Sequence, residues 1–211
     1  MSQKTVEIGQ STFQCPCHAC AFFHSKEEEY ELLLPFAKAG QVAGERLVQV
    51  VDKAHLPERR QQLTEAGINV EEAERNGQLD LRPWENAYLR ENRFSQHAML
   101  DLIQEVLKEG RTKGFGMTRL WANMEWALEE LPGVHDIVEY ETRLNKFLPS
   151  YDDVVVCTYD LNRFSAPVVM DIMRTHPQVL VGGVLQQNPF YVPPDEFLNE
   201  LRQRNTIRTR Q

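Results

Sequence analysis

At 211 residues and 24.5 kDa, with 42% hydrophobic and 26% charged residues, the chain is long enough for one well-filled α/β core. A formal charge of −8 argues against the basic stripe of a nucleic-acid-binding surface, and no run approaches the ~18 apolar residues of a membrane span. Four cysteines clustered three and one do not make a disulfide framework. Met1-Ser2-Gln3-Lys4-Thr5 lacks the apolar core of a signal peptide, so a cytoplasmic protein with reduced thiols is expected.

In chain order, residues 1–14 are polar and read as a flexible leader. Ala19–His24, small and aromatic, predicts a buried strand. Ser25 is a helix N-cap, and Glu28 three residues on completes a capping box. The helix over Glu27–Ala39 should be kinked or shortened by Pro35 and ended by Gly40 and Gly44. Strands are predicted at Leu47–Asp52, Leu79–Arg82, Met117–Trp121, Val154–Tyr159 and Val179–Gly183. Helices are predicted at Leu56–Ala66, Ser95–Glu109, Met124–Glu130, Asp136–Phe147, Ser165–Thr175 and Pro194–Arg204. This alternation means a three-layer α/β fold, a mainly parallel sheet with helices on both faces. The tail from Arg202 holds four arginines and no acid, and is read as a solvated terminus or a short arm for an acidic partner.

The strand-to-helix turn His24-Ser25-Lys26-Glu27-Glu28-Glu29 is where an α/β nucleotide protein carries its phosphate loop. It contains no glycine, and three carboxylates occupy the helix end that would hold a phosphate. ATP hydrolysis there is not expected. Cys15, Cys17, His18 and Cys20 offer donors of the kind zinc accepts, with the usual two-residue gap only between Cys17 and Cys20. The alternative is that Cys20 is a small buried strand residue. Cys157 lies late in a buried strand, where desolvation raises a thiol pKa. His176-Pro177 reads as a helix terminator rather than a base, and Glu125 as a solvated carboxylate. No Ser-His-Asp or paired-carboxylate pattern stands out. The carboxyl edge of the sheet, where such folds bind ligands, would collect His24, Ser25, Asp52, Trp121–Met124, Tyr159, Asp160, Asn162 and Gly183–Gln186. That aromatic and polar mixture suits a small, mostly neutral organic ligand better than a phosphate.

Several stretches resemble the MEDS family, the methanogen/methylotroph, dichloromethane-regulator sensory domain. They are His18-Ala19-Cys20-Ala21-Phe22-Phe23, the acid run into Leu32-Leu33-Leu34-Pro35-Phe36, Gly44-Glu45-Arg46-Leu47-Val48, Gly77-Gln78-Leu79, Glu139–Asn145, Cys157–Leu161, Thr175-His176-Pro177 and Asn188–Tyr191. The likeness is collinear from about His18 to Leu201. It implies a RecA/KaiC-like core whose Walker A loop has decayed. The implied organisation is a single sensory domain over 15–203, preceded by the leader 1–14 and followed by a basic tail, 204–211. The implied function is non-catalytic sensing of a simple hydrocarbon derivative and signalling to a regulatory partner in trans, of kinase, anti-sigma or transcription-factor type, without direct contact to nucleic acid or membrane. His18 and Cys157 would contact the ligand, with Cys20 as a second thiol and Tyr159 and Asp160 beside them. No cofactor is expected. The alternatives are a zinc or thiol redox switch built on Cys15, Cys17, His18 and Cys20, or a ligand-free interaction scaffold.

Overall fold

The computed structural model describes residues 4–208, in which strands and helices alternate as the apolar period predicts. The elements are β1 (Thr5–Ile8), β2 (Ser11–Gln14), β3 (Cys17–Phe23), α1 (Lys26–Val42), β4 (Arg46–Val51), α2 (Leu56–Glu65), α3 (Val70–Arg75) and β5 (Leu79–Pro83). They continue with α4 (Gln96–Thr112), β6 (Thr118–Asn123), α5 (Ile137–Leu144), β7 (Val154–Asp160), α6 (Ala166–Thr175), β8 (Gln178–Val181), β9 (Val184–Gln187) and α7 (Pro194–Arg208). Seven strands form one sheet in the order β5-β4-β6-β7-β3-β8-β9. All its pairs are parallel except β8 with β9.

β3 and β7 are the spine. Every residue of β3 is buried, as is every residue of β7 except Asp160. Strands apolar on both faces must be covered on both, and two cores do this. On one side Leu33, Phe36, Leu63 and Ala73, from α1, α2 and α3, pack on Ala19, Ala21, Val154 and Val156. On the other, Ile103, Leu107, Tyr140, Leu144 and Ile172, from α4, α5 and α6, pack on Cys20, Phe22, Val155 and Cys157. α7 packs back against α5.

The structure corrects several expectations. The leader is ordered from Thr5: β1 and β2 form an antiparallel hairpin. Val6 and Ile8 are buried in alternation with exposed Thr5 and Glu7, a period-two pattern only four residues long. Gly9 (φ 59°) turns the hairpin, and its α-carbon sits so close to Gly183 that an added Cβ would lie 2.8 Å from the Gly183 carbonyl oxygen. Pro35 does not break α1, which runs unbroken past it with Pro35 on the exposed face and Leu33, Phe36 and Ala37 anchored to the sheet. Helix 124–130 is only a 3-10 turn at Glu125–Leu128. The last strand stops at Val181, because Gly182 and Gly183 (φ 56° and 76°) make the two-residue turn into β9. α3 was not predicted. Arg204, assigned to the basic tail, lies in α7 and pairs with Asp171 at 2.7 Å and Glu200 at 2.5 Å. The rest of that tail beyond Arg208 lies outside the described residues. Among those described, no helix is long and apolar enough to cross a membrane.

Gly40, expected to end α1, lies inside it. Arg119 crosses there to donate to the Phe36 carbonyl (2.7 Å) and to Glu45 (2.6 Å). A Cβ on Gly40 would meet Arg119 Cδ and Nε at 2.7 Å. Alanine normally gains about 1 kcal/mol over glycine in a helix. We expect the opposite sign here: Gly40→Ala should lose about 1–3 kcal/mol in urea unfolding through overpacking. A gain in stability would show that the Arg119 crossing has slack.

Candidate functional site

Side chains alternate faces along a strand, and this divides the cysteine cluster of β3. Cys15 and Cys17 face the core under α1, where the Cys15 Sγ lies 3.6 Å from Met117 Sδ. Cys20 faces the opposite core, and His18 reaches residues of α5 on that same side. The four expected zinc donors therefore do not converge. Burial pushes the Cys15 thiol up to about 11, with Glu45 adding to it, and the Cys17 thiol up to about 12.

His18 instead meets residues far along the chain. α5 lies over β3 and β7 and presents Glu141 and Asn145, one helical turn apart, on the same face. His176, directly after α6, enters from the side, and its ring centroid is 4.2 Å from that of His18. Glu141 Oε2 is 3.3 Å from His18 Nε2, 3.4 Å from His176 Nε2 and 3.7 Å from Cys157 Sγ. Tyr159 donates its hydroxyl to Glu141 Oε1 at 2.8 Å. Cys20, the register partner of Cys157 across β3 and β7, directs its Sγ toward the Gln178 carbonyl at 3.8 Å. His18, Cys20, Cys157 and Tyr159 are thus brought together. Asp160 is not: its Oδ1 accepts from the Asn162 amide at 2.7 Å and shapes the turn after β7.

The ring orientations are fixed from outside. Asn145 donates its amide to the carbonyls of Thr175 (2.6 Å) and Glu141 (3.2 Å), so its oxygen accepts from His18 Nδ1 at 2.9 Å. His176 Nδ1 lies 2.9 Å from the Ile172 carbonyl and donates to it. Both Nε2 atoms are therefore turned inward. Burial, and then the neighbouring His176, hold His18 below its ordinary pKa. Burial opposes charge on His176 as well, but Cys20 and Glu141 outweigh it and raise its pKa. The two imidazoles around Glu141 overcome burial and hold its carboxyl well below the usual range. Burial first, and Glu141 second, push the Cys157 thiol up to about 12.

A thiol, an imidazole 3.8 Å away and an asparagine oxygen behind it resemble the parts of a thiol nucleophile. Two features set this group apart: burial raises the thiol's pKa, and His18, Glu141, Cys157 and His176 are all buried at 4% exposure or less. What the centre offers is converging donors. Four ligand atoms, one each from His18, Glu141, Cys157 and His176, lie within 4.8 Å of one another.

The carboxyl edge of the sheet is closed over β3, β6 and β7. Ser25 Oγ accepts from the Glu28 amide (3.2 Å), the first half of the expected capping box, while Glu28 accepts in return from the amide of His24 (2.7 Å), one residue before the cap, instead of from Ser25 itself. Glu29 turns inward, where Trp121 Nε1 (2.6 Å) and Thr158 Oγ1 (3.1 Å) donate to it and Arg59 lies 3.8 Å away. The Arg59 guanidinium in turn stacks over Trp121 at 4.0 Å and Tyr30 at 4.6 Å. Glu125 is buried and paired with Arg163, not solvated as expected. The cavities left around Glu29 and Glu125 are about 20 and 10 Å³, against the few hundred (roughly 300 or more) that a bound cofactor needs; an open groove of about 490 Å³ remains further along, between Glu28, Glu31 and the Gly182-Gly183 turn.

Sequence reading missed Glu141, Asn145 and His176 as site residues. The four-residue spacing of Glu141 and Asn145 on a predicted amphipathic helix was a usable signal. His176 carried none beyond its place before Pro177.

A mostly parallel seven-stranded sheet covered by helices is an α/β, RecA-like fold. The KaiC-like protein PH0186 from the hyperthermophilic archaeon Pyrococcus horikoshii OT3 shares it, with a TM-score of 0.60 and 16% identity over 84% of this chain and 80% of that one. The model of the MEDS family (MEthanogen/methylotroph, DcmR Sensory domain) matches residues 17–177, and the chain belongs to that family. The matched span opens one residue before His18 and closes one after His176, so it contains all four converging donors. The transcriptional repressor DcmR of Methylorubrum extorquens is 27% identical over 163 residues, 75% of this chain; the chain spans 57% of that repressor's length.

At the closed edge, Arg59 is the counter-charge that makes buried Glu29 tolerable. Removing one partner of a buried pair costs about 3–5 kcal/mol. We expect a loss near the lower end for Arg59→Met in urea unfolding at pH 7, most of it recovered in the double variant with Glu29→Gln. Burial already raises the Glu29 pKa while Arg59 lowers it, so without Arg59 the value climbs further. The penalty should therefore fade as pH falls through that raised value and the carboxyl takes up its proton. A penalty independent of pH, or not relieved by Glu29→Gln, would mean that Arg59 acts through its stacking alone.

Proposed function

We propose that this chain is a non-catalytic sensory domain that binds a small, largely uncharged organic molecule and passes its state to a regulatory protein in trans. The single observation that carries this reading is the MEDS match over residues 17–177. It is supported by the relationship to a transcriptional repressor and by the acid-filled mouth of α1, which leaves no room for the nucleotide such a fold often holds. The receptor centre is the polar group under α5, with His18 and Cys157 as principal contacts and Cys20 and Tyr159 beside them. Asp160 is not a contact in this reading, because it serves the turn after β7. Residues 178–208 complete the sheet and pack α7 on α5.

Thermal-shift measurements against small alcohols, halomethanes and methylated amines test the reading. One of these classes should raise the unfolding temperature, since a ligand at 100 times its Kd adds about 2.7 kcal/mol. Magnesium-ATP should not. Stabilisation by ATP alone, or by no organic compound at large excess, would remove the sensory assignment.

A further inference from the structure

We propose that His18, Glu141, Cys157 and His176 form a closed, four-coordinate site for a zinc-class divalent ion beneath α5. The proposal concerns the same centre as the sensory reading and does not depend on which molecule is sensed; with the ion bound, His18 and Cys157 serve as its ligands and reach an organic molecule only through the ion's surroundings, not directly.

Geometry is the first argument. A tetrahedral ion about 2.05 Å from nitrogen or oxygen and about 2.3 Å from sulfur sets donor–donor edges of about 3.3 Å and, where sulfur is involved, about 3.6 Å. Of the six edges, the Glu141 Oε2 edges to His18 and His176 Nε2 are 3.3 and 3.4 Å, and the Cys157 Sγ edges to Glu141 Oε2 and His18 Nε2 are 3.7 and 3.8 Å; the two from His176 to His18 and Cys157 lie within 4.8 Å. The donors come from β3, α5, β7 and the residue after α6, so no single sequence repeat produces this match.

The second argument is how the donors are held. Both histidines spend Nδ1 on outer acceptors, Asn145 Oδ1 and the Ile172 carbonyl, and turn Nε2 inward. Metal-ligating histidines are oriented in this way. Tyr159 occupies Glu141 Oε1 and leaves Oε2 to the centre. His176 Nε2 is fully buried, without a close hydrogen bond, and its neighbour there is Glu141 Oε2 at 3.4 Å, so it points at the other donors and not at solvent.

The third argument is charge and softness. One thiolate, one carboxylate and two imidazoles suit a borderline-soft ion rather than magnesium or calcium. The two anions neutralise the dication, so the loaded centre is uncharged inside the core. On ligation the Cys157 thiol proton and any proton on His176 Nε2 pass to solvent, so that both residues bind in their deprotonated forms. All four positions are filled by protein, as in structural zinc sites.

The test uses the full chain, produced in zinc-supplemented medium and purified without chelator. Mass spectrometry of the metal content should find about one zinc per chain. X-ray absorption at the zinc edge should show one sulfur and three nitrogen or oxygen neighbours. After stripping and reconstitution, cobalt(II) should give tetrahedral ligand-field bands and a thiolate charge-transfer band. Cys157→Ser should lose the charge-transfer band, while Cys17→Ser, on the other face of β3, should keep it. Asn145→Ala should weaken zinc binding by about 10–100-fold. Transition metal below about a tenth of an equivalent in a folded protein that also takes up no cobalt would overturn the site. So would a first shell with no sulfur, or with more than one. These readouts need no organic ligand, so the metal site and the sensory reading stand or fall separately.

Discussion

Glu141 is the residue around which the rest of the structure has to be arranged. Its carboxylate is wholly buried in the middle of a sheet face, where an unpaired charge costs several kcal/mol even after relaxation. Two imidazoles, a phenol and a thiol surround it because nothing less would keep it ionised there. Each of these is then fixed by a partner of its own: Asn145 for His18, the Ile172 carbonyl for His176, the β7 backbone for Tyr159. The result is a polar knot that ties α5 to β3, β7 and the α6–β8 junction. Apolar packing alone would let α5 slide along the sheet, whereas this knot allows one position.

The second consequence is that the chemistry has moved. In an open parallel sheet, ligands collect outside the carboxyl ends of the strands because helix N-termini and diverging loops leave a crevice there. Here that crevice is filled from within by Glu29, Arg59, Trp121 and Glu125. The polar centre lies instead toward the middle of the sheet, under a helix, at the level of His18 and Cys157. A protein of this build keeps a RecA-like scaffold with the crevice over β3, β6 and β7 filled by side chains. A shared fold under 25% identity therefore carries no activity with it.

Legibility in the sequence followed the same division. The fold was readable because β3, β4 and β7 are continuous apolar runs and α4 repeats its apolar residues at helical spacing, signals that burial itself enforces. The acid-blocked turn was readable too, since three glutamates at a helix start state their own electrostatics. The centre was half readable. His18, Cys20, Cys157 and Tyr159 sit in strands with a known direction, but Cys15 and Cys17 seemed to belong with them because they are neighbours in sequence. An extended strand separates such neighbours onto opposite faces, and the partners that complete the set, Glu141 and His176, lie more than a hundred residues away. The hairpin of β1 and β2 was hidden because two buried residues in a polar stretch leave almost no compositional trace.

A centre placed at the meeting of four elements is suited to reporting its own occupancy. Any change in charge there, whether a proton, an ion or an organic guest, alters the balance that pins α5. α5 contacts α6 and α7, and the outer surface of those helices carries a connected set of ion pairs: Asp171 with Arg174 and Arg204, and Glu200 with the same two arginines. A small displacement of α5 would be met first by this network, since hydrophobic contacts tolerate sliding better than directed charge pairs do. The route from the centre to the surface is therefore short and passes through one helix, and on the sensory reading proposed above the exposed side of α6 and α7 is where a partner would meet it.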